Sequence, residues 1–425
     1  MRAALWFLVL FGVAVASALF AGNNQGTVTL FWPPYRLDLS LNLVLLLLTL
    51  VFVTLYTALR ALNALLALPR RARRWRLHQK ERAMHAAMLD AVALFMAGRF
   101  LRSRKTALAA LAQEEALVQS QASVPHGRQL RALAHLVAAE DSQALQDHIQ
   151  RDNHLQQALG YAPERGTQQE RELREGIQMR AAHWSLENRE PRAALDWLAS
   201  LPQGAARRTL ALRLKLRAAR KARQTQSALD TARLLSKHRA FSAEAGQSIV
   251  RGLAMELIND THDPAQLQRT WQSLEKVERA MPELVIHAAQ RLATLGGDAA
   301  TVRQWLMPIW QKMVDTPGSL SEPQATRLVR ALEAGLDAVD TAWLARIEAA
   351  AQTNPRDTRL QYLAGMACLQ RQLWGKAQQL LTQSAQQLPD AHLRRSAWQR
   401  LAELAERRGE TEAASHAWKQ AALAE

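Results

Sequence analysis

The sequence is poor in cysteine and glycine for its length. Among 425 residues there are one cysteine, Cys368, and 18 glycines. A single cysteine excludes a disulfide framework within the chain and a cysteine-rich metal site. Large β-sheets and glycine-rich phosphate loops are poor interpretations, because the chain is instead rich in Ala, Leu, Arg and Gln, which have a low cost in helices. We therefore predict an all-α fold.

Motifs of catalysis are also lacking. The chain contains no G-x-G-x-x-G, G-x-x-x-x-G-K-[ST], H-E-x-x-H or G-x-S-x-G segment. Its twelve histidines are scattered, and the closest pair on one helix face is His78 with His85. Cys368 falls at a repeat position that is usually buried, which favours an inert thiol. We therefore expect no enzyme activity, no catalytic residues, no metal site and no required cofactor.

The net charge of +16 is unevenly distributed. Between Arg60 and Lys105 twelve basic residues stand against two acidic ones, a net charge of +10. Residues 1–59 sum to +1, and the remaining residues to +5. A local basic block of this kind is typical of nucleic-acid binding, of anionic lipid binding or of the flank of a membrane span. Its neighbours in the sequence decide among these.

Two long uncharged apolar runs precede the basic block, at about 3–22 and 39–59. A helix rises about 1.5 Å per residue, so about 20 residues cross the hydrocarbon core. Both runs are long enough, and we predict a two-helix transmembrane hairpin over residues 1–68. The connecting loop, 23–38, is rich in turn formers and interfacial aromatics.

Basic residues near spans are retained on the cytoplasmic side. The connecting loop has only Arg36, balanced by Asp38, whereas the second span is followed by many arginines. The prediction is therefore N-in/C-in, with the loop outside and the rest of the chain cytoplasmic. Five arginines point around most of a helix instead of forming one stripe, which favours contact with anionic headgroups over nucleic acid. They are Arg70, Arg71, Arg73, Arg74 and Arg76.

The first apolar run has a competing interpretation as a cleaved signal peptide. Ala16 and Ala18 form an A-x-A pattern after a hydrophobic stretch. Against cleavage, the segment before the run has only Arg2, and the run is longer than a usual signal-peptide core. The second span and its basic flank are the same in both cases.

The C-terminus shows a helical repeat. Pro355 and Pro389 are 34 residues apart, and apolar or small residues recur at helical spacing between and after them. The residue types resemble the tetratricopeptide repeat, with Gly365 at its eighth position. We predict a basic juxtamembrane helical segment at 69–110, degenerate helical repeats at 111–323 and tetratricopeptide repeats at 324–425, together an α-solenoid.

Such a solenoid exposes a groove lined by the first helix of each pair, which usually binds peptides or helices of other proteins. The alternative is that these positions are a solvated helix face. Counting along the repeat predicts six groove residues, namely Arg359, Tyr362, Gln370, Gln399, Glu403 and Arg407.

The order of elements resembles one known family. Two N-terminal spans, a loop ending FWPPYRLDLSLN, a basic exit LPRRARRW, the segment FMAGRFLRSRKTALAAL and C-terminal tetratricopeptide repeats resemble the HemY family of proteobacterial inner-membrane proteins. That family is associated with the late porphyrin steps of haem biosynthesis. A flavin-dependent oxidase shares the name, but this chain lacks the dinucleotide fingerprint such an oxidase needs.

The resemblance implies a bacterial inner-membrane scaffold or regulator in haem biosynthesis. Its partners would be inner-membrane lipids and, through the groove, haem-pathway enzymes or other proteins, with no nucleic acid. One alternative is direct binding of haem or porphyrin, with His78 or His85 as ligand and the arginine cluster facing the propionates. A second is a general envelope-assembly adapter, and the last is a late haem-pathway activity without a recognisable motif.

Overall fold

A computed structural model describes residues 11–16, 18, 22, 26–120, 124–336 and 339–424, with the backbone alone at 67, 70, 71, 73 and 74. Residues 11–16, 18 and 22 are helical. The rest of the predicted span 3–22 lies outside the described residues, and so does the choice between a retained span and a cleaved signal peptide.

The predicted external loop contains a β-hairpin, which corrects the all-α prediction at this point. Strands β1 (Thr27–Trp32) and β2 (Tyr35–Ser40) pair antiparallel and are joined by Pro33 and Pro34, whose peptide bond is cis. The physical reason is the alternation of threonine with the apolar residues Val28 and Leu30, which suits a strand with one polar and one apolar face. Pro33 and Pro34 at the tip are typical of a loop, and for this reason the segment was predicted as one loop without strands.

A helix of 56 residues, α1 (Leu41–Met96), follows the hairpin directly. Its start is capped by Ser40, whose hydroxyl accepts a hydrogen bond from the Leu43 amide at 3.3 Å. The stretch Leu41–Leu66 is long and apolar enough to cross a membrane, and it is the one such helix among the described residues. The predicted second span is thus helical from Leu41, since residues 39 and 40 belong to β2, and its apolar part ends seven residues later than position 59.

Helix α1 does not break at Pro69, where the predicted boundary between residues 1–68 and 69–110 falls. A proline inside a helix removes a single backbone donor, and here the chain keeps its helical course on both sides. The apolar span and the basic segment are therefore parts of one helix. This helix ends at Met96, and Gly98 just beyond it has a φ of 71° that suits glycine.

The remaining described chain consists of helices. The first nine are α2 (Phe100–Gln119), α3 (Gly127–Ala144), α4 (His148–Tyr161), α5 (Gln168–Glu187), α6 (Pro191–Ala199), α7 (Gln203–Ala206), α8 (Thr209–Lys221), α9 (Thr225–Lys237) and α10 (Ala243–Asn259). They are followed by α11 (Pro264–Ser273), α12 (Lys276–Arg279), α13 (Pro282–Thr294), α14 (Ala299–Asp315), α15 (Glu322–Glu333), α16 (Thr341–Thr353), α17 (Thr358–Gln370), α18 (Trp374–Ala385), α19 (Ala391–Arg408) and α20 (Thr411–Leu423).

One type of turn recurs between consecutive helices along the whole chain. In each case one residue has a positive φ, and the next amide donates to the carbonyl five residues earlier, as Leu373 does to Cys368 at 2.9 Å. This is the Schellman arrangement, which satisfies the last carbonyls of a helix. The positive-φ residues are Gly98, Gln146, Arg189, Arg223, Arg239, Gly296, Gln372 and Gly409. The degenerate middle of the chain therefore turns in the same way as the C-terminal repeats.

The chain forms two compact units, divided between Arg174 and Glu175 inside α5. In the first unit α1 packs on α2, α2 on α3 and α3 on α4. Most of its buried apolar side chains are alanines, such as Ala107 and Ala138. Small side chains let helices approach closely, but they leave little apolar area to bury. A cluster of larger side chains forms around Met84, Leu117 and Leu130.

The second unit has an extended apolar core that runs from Leu212 on α8 to Ala417 on α20. It includes buried leucines, isoleucines and tryptophans from almost every helix in between. Trp310 and Trp343 meet there with ring centroids 5.7 Å apart. A solenoid buries its apolar faces only when helix pairs stack on one another, and this continuous core is the result.

Several apolar repeat positions of the last two units lie in the core, whereas Trp398 is half-buried and Trp418 is 40% exposed. Leu360 and Leu363 on α17 and Leu401 on α19 are buried. Gly365 lies where α17 approaches α18, since a Cβ added there would come within 2.8 Å of Leu381 Cγ. The eighth position of the repeat therefore holds glycine because the two helices touch at this point.

Candidate partner-binding surface

The first helices of three successive C-terminal units, α15, α17 and α19, are linked by polar side chains. Arg330 on α15 donates to Asp390, the N-cap residue of α19, at 2.5 Å. Glu333 at the end of α15 accepts from Ser396 on α19 at 3.3 Å. Helices α15 and α19 are therefore close enough for direct contact, although α17 lies between them in the sequence.

Tyr362 lies beneath these contacts on α17. Its side chain is fully buried, and its hydroxyl donates to Glu333 Oε1 at 2.7 Å. Burial, together with the Glu333 carboxylate, raises the pKa of Tyr362. The prediction that Tyr362 lines an open groove is wrong, because its side chain is fully buried. Its role is to anchor a polar network inside the unit.

Arg359 has defined partners within the unit. Its guanidinium donates to Asp357 Oδ1 at 2.9 Å and to Glu322 Oε2 at 2.7 Å. Asp357 also caps the start of α17 by accepting from the Arg359 amide at 3.0 Å. This ion pair ties the N-terminal end of α17 to that of α15. Arg359 is 13% exposed, so it lies at the rim of a surface but is committed to intramolecular contacts.

Three of the other predicted groove residues lie along one face of α19. Gln399 and Arg407 are exposed and Glu403 is half-buried. Glu403 accepts from Arg400 at 2.9 Å, and the Arg407 guanidinium lies 5.3 Å from the centre of the Trp374 ring. Gln370 is exposed at the end of α17. The predicted set thus comprises buried Tyr362, ion-paired Arg359, and exposed or half-buried positions on α17 and α19.

The structure contains a cleft that the repeat counting did not predict. It has a volume of about 570 Å³ and lies where the loops before α15, α17 and α19 come together. Met313, Leu320 and Leu360 form an apolar floor, and each is at least nine-tenths buried. Arg356 is exposed at the edge, near the ion pair of Arg359. Pro355 and Pro389 were a sequence signal for these loops, but the convergence of the loops depends on how the units stack.

The N-terminal unit has a different polar cluster. The Arg131 guanidinium donates to the buried Glu114 carboxylate at 2.6 Å and lies 5.3 Å from the centre of the Tyr161 ring. His135 stacks on Tyr161, and its Nδ1 is 3.2 Å from Nδ1 of His154. Burial, with the nearby charge of Arg131 and His154, lowers the pKa of His135 to about 4. The two histidines, the tyrosine and the ion pair thus connect α2, α3 and α4.

The histidines predicted as haem ligands are on the solvent side of α1. His78 is exposed and lies 3.5 Å from Glu81, while His85 Nδ1 is 2.9 Å from the Glu81 carbonyl oxygen. Seven residues of helix separate them by about 10 Å along the axis, so they do not converge on one iron. Porphyrin sites are usually enclosed by apolar walls, and these two exposed side chains do not supply such walls. Binding of haem or porphyrin stays a prediction.

Three further predictions concern the arginine cluster, Cys368 and metal binding. The side chains of Arg70, Arg71, Arg73 and Arg74 lie outside the described residues, and Arg76 is exposed on α1. Cys368 is buried and donates to Glu348 at 3.3 Å. Burial, with the Glu348 carboxylate, raises the pKa of its thiol to about 12, which suits an unreactive core position. Across the described residues no three His, Cys, Asp or Glu side chains come together to hold a metal ion.

Comparison with solved structures gives only distant likenesses. The chain is similar to the crystal structure of the P58(IPK) TPR domain, with 14% identity, 76% of this chain and 98% of that chain covered, and a TM-score of 0.21. It is also similar to the structure of Naa15/Naa10 bound to HypK-THB, with 11% identity. That match covers 80% of this chain and 58% of that chain, with a TM-score of 0.24. TM-scores this low mean that neither structure superimposes on the chain as a whole. No curated protein sequence matches the chain.

The N-terminal unit carries the family resemblance. Residues 26–146, which include the hairpin, the apolar helix and the helices that contribute Glu114 and Arg131, match the family model described as HemY protein N-terminus. This match agrees with the order of elements in the sequence. Residues 26–146 are therefore similar to the N-terminal domain of HemY proteins.

Proposed function

We propose that the protein is a membrane-anchored adapter whose C-terminal repeats bind a partner protein of haem biosynthesis on the cytoplasmic face of the inner membrane. The observation that carries this proposal is the cleft at the starts of α15, α17 and α19. It joins an apolar floor to a charged rim, as sites for peptide segments do. The concave face, where Tyr362 is buried, is the less suitable surface.

The chemistry of the cleft defines the partner segment. The floor of Met313, Leu320 and Leu360 fits one or two apolar side chains. Asp357 and Glu322 already neutralise Arg359, whereas Arg356 is exposed at the edge. A partner segment with an apolar anchor and a neighbouring carboxylate would therefore complement the site.

The apolar helix Leu41–Leu66 is the membrane anchor of the proposed adapter. Fixing the repeats to a membrane raises the effective concentration of any partner that is itself membrane-bound or works at the membrane. This gain needs no catalytic group. The similarity to HemY proteins is the reason to expect the partner among the enzymes of the late porphyrin steps.

Site-specific photocrosslinking in intact cells tests the cleft. A photoreactive residue at Arg356 is compared with one at Arg371, which is also exposed but lies at the other end of α17, about 20 Å away. We expect a defined partner to crosslink at position 356 and at least tenfold less at position 371. Equal crosslinking at both positions, or none at 356, contradicts the cleft as the binding site.

The role in haem biosynthesis is tested with a blocking variant. Thr353→Trp places an indole at the edge of the cleft without changing a buried contact, since Thr353 is exposed. We expect loss of the crosslink and the same accumulation of porphyrin intermediates as deletion of the gene. A crosslinked partner outside the pathway, with porphyrins unchanged, would instead indicate a general envelope-assembly adapter.

A further inference from the structure

The β-hairpin before α1 has one completely apolar face. In an antiparallel pair, directly opposed residues have side chains on the same face, and faces alternate along each strand. Three of the six pairs bring apolar residues together on one face. They are Val28 with Leu39, Leu30 with Leu37, and Trp32 with Tyr35.

The opposite face is polar apart from Phe31, which is 73% exposed beneath the Arg36 guanidinium, and it carries balanced charge. It contains the pairs Thr27 with Ser40, Thr29 with Asp38, and Phe31 with Arg36. Arg36 Nε lies 3.4 Å from Asp38, and its guanidinium is 5.4 Å from the centre of the Phe31 ring. Because Arg36 and Asp38 neutralise each other, this face suits water without favouring a charged partner.

The outer two-thirds of the apolar face is open. Leu30 is 48% exposed, Leu37 is 56% exposed, and Trp32 and Tyr35 at the tip are each 72% exposed. The pair nearest α1, Val28 and Leu39, is half-buried. Exposed apolar surface of this kind is unfavourable in water, and a Trp and Tyr pair at its end is typical of the membrane interface.

The position of the hairpin indicates what covers this face. The Leu41 amide donates to the Gly26 carbonyl at 2.9 Å, which closes the base of the hairpin on the first residue of the apolar helix. Since Ser40 is both the last residue of β2 and the cap of α1, no linker separates the hairpin from the span. The base is therefore held at the membrane surface, and six residues per strand give a length of about 20 Å.

We propose that the hairpin lies along the membrane, with the Val28 to Tyr35 face in the boundary between headgroups and acyl chains and the Thr29 to Arg36 face in water. The occupant is lipid because the apolar face is continuous with a membrane span. This arrangement orients the start of α1 in the bilayer and prevents the exposed face from pairing with other proteins.

Spin labels on the two faces test this proposal. Cys368→Ala removes the only cysteine, and the full chain is then labelled at Leu30→Cys or Thr29→Cys and reconstituted in phosphatidylcholine nanodiscs. Oxygen collects in the hydrocarbon and a nickel chelate stays in water. We expect the label at position 30 to collide with oxygen in preference to nickel, and the label at position 29 to show the opposite preference.

A third label at Leu37→Cys controls for loss of the hairpin, because position 37 is paired with position 30 and must share its preference. Nickel preference at all three positions would show the hairpin projecting into water and overturn the proposal. Exclusion of both reagents at 30 and 37 would show a protein partner or a second copy on this face, which also overturns it.

Discussion

The two units of the chain hold their helices together in different ways. The second unit buries large apolar side chains in one continuous core, from Leu212 to Ala417. In the first unit most of the buried apolar positions are alanines, and Ser103, Glu114, His135 and Asp141 are buried among them. Close helix packing with little apolar area makes the first unit depend on polar contacts. We therefore expect the second unit to be sensitive to cavities and the first to pH.

The largest expected effect is a cavity in the second unit. Leu284 on α13 is fully buried in the extended core, so Leu284→Ala should lower the free energy of unfolding of this unit by about 4 kcal/mol. Leu130→Ala, in the small cluster of the first unit, should cost about 2 kcal/mol. Hydrogen exchange with mass spectrometry on the full chain in nanodiscs measures each unit separately. Equal losses would contradict the proposed difference between the cores.

Each unit contains an ion pair whose carboxylate is almost fully buried, Glu114 in the first and Glu278 in the second, and breaking it should cost about 3 kcal/mol in either. Arg233 donates to both oxygens of the buried Glu278 in the second unit, at 2.8 and 2.6 Å. Arg233→Met and Arg131→Met each leave a buried carboxylate without its partner. The matched control is Arg400→Met, whose pair with Glu403 is more exposed and should cost at most about 1 kcal/mol. A small loss at Arg233 would show that water reaches Glu278.

The pH dependence of the first unit should reveal two opposing groups. Burial raises the pKa of Asp141 to about 6 from its ordinary value of 3.8, although Ser103 and Arg104 on α2 oppose the rise. In the folded state Asp141 therefore binds its proton more tightly, and its contribution to stability rises as the pH falls from 6 to 4. The lowered pKa of His135, faced by Arg131, His154 and Tyr161, has the opposite effect over pH 6.5 to 4.

Two variants separate these contributions. Asp141→Asn removes the carboxyl group, so that only the effect of His135 remains. The free energy of unfolding of the first unit should then fall by about 2 kcal/mol between pH 7 and pH 4. His135→Gln should leave Asp141 to dominate, and the loss on acidification should shrink or reverse. Exchange rates corrected for the intrinsic effect of pH give both slopes. Parallel slopes in the two variants would mean that other groups control the pH dependence.

The smallest expected effect concerns two glycines in helices. Gly365→Ala pushes a methyl group against Leu381 where α17 meets α18, and should cost about 1 kcal/mol after the gain in helix propensity. Gly252→Ala on α10 meets no atom within 4 Å and should instead add a few tenths to about 1 kcal/mol. Thermal unfolding shifts of opposite sign would confirm that only one of these glycines is required by contact.

The turns between helices show which helix ends residue type alone predicts. The breaks at Pro355 and Pro389 follow from residue type, because proline disfavours the continuation of a helix. The turns at Gln146, Arg223 and Gln372 were not predicted, because these residues occupy a positive φ that sequence rules reserve for glycine or asparagine. The hydrogen bond of the following amide to the end of the helix holds them there.

The predicted binding residues show a second limit. Repeat counting placed Tyr362 and Arg359 on the first helix of a pair, and both are on α17. Their exposure could not be counted in the same way, because it depends on the curvature between units. Tyr362 is fully buried and donates to Glu333, 29 positions earlier, a contact that depends on how α15 and α17 stack.

By itself, the sequence determined the features that depend on local composition: an apolar helix able to span a membrane, a basic segment after it, and helix pairs with a period of 34 residues. The reason is that hydrophobic length and periodicity are properties of neighbouring residues. Only the tertiary structure decided which polar groups are buried, where the cleft forms and which face of the hairpin is apolar. These features depend on register and stacking between distant segments, which no short stretch of residues contains.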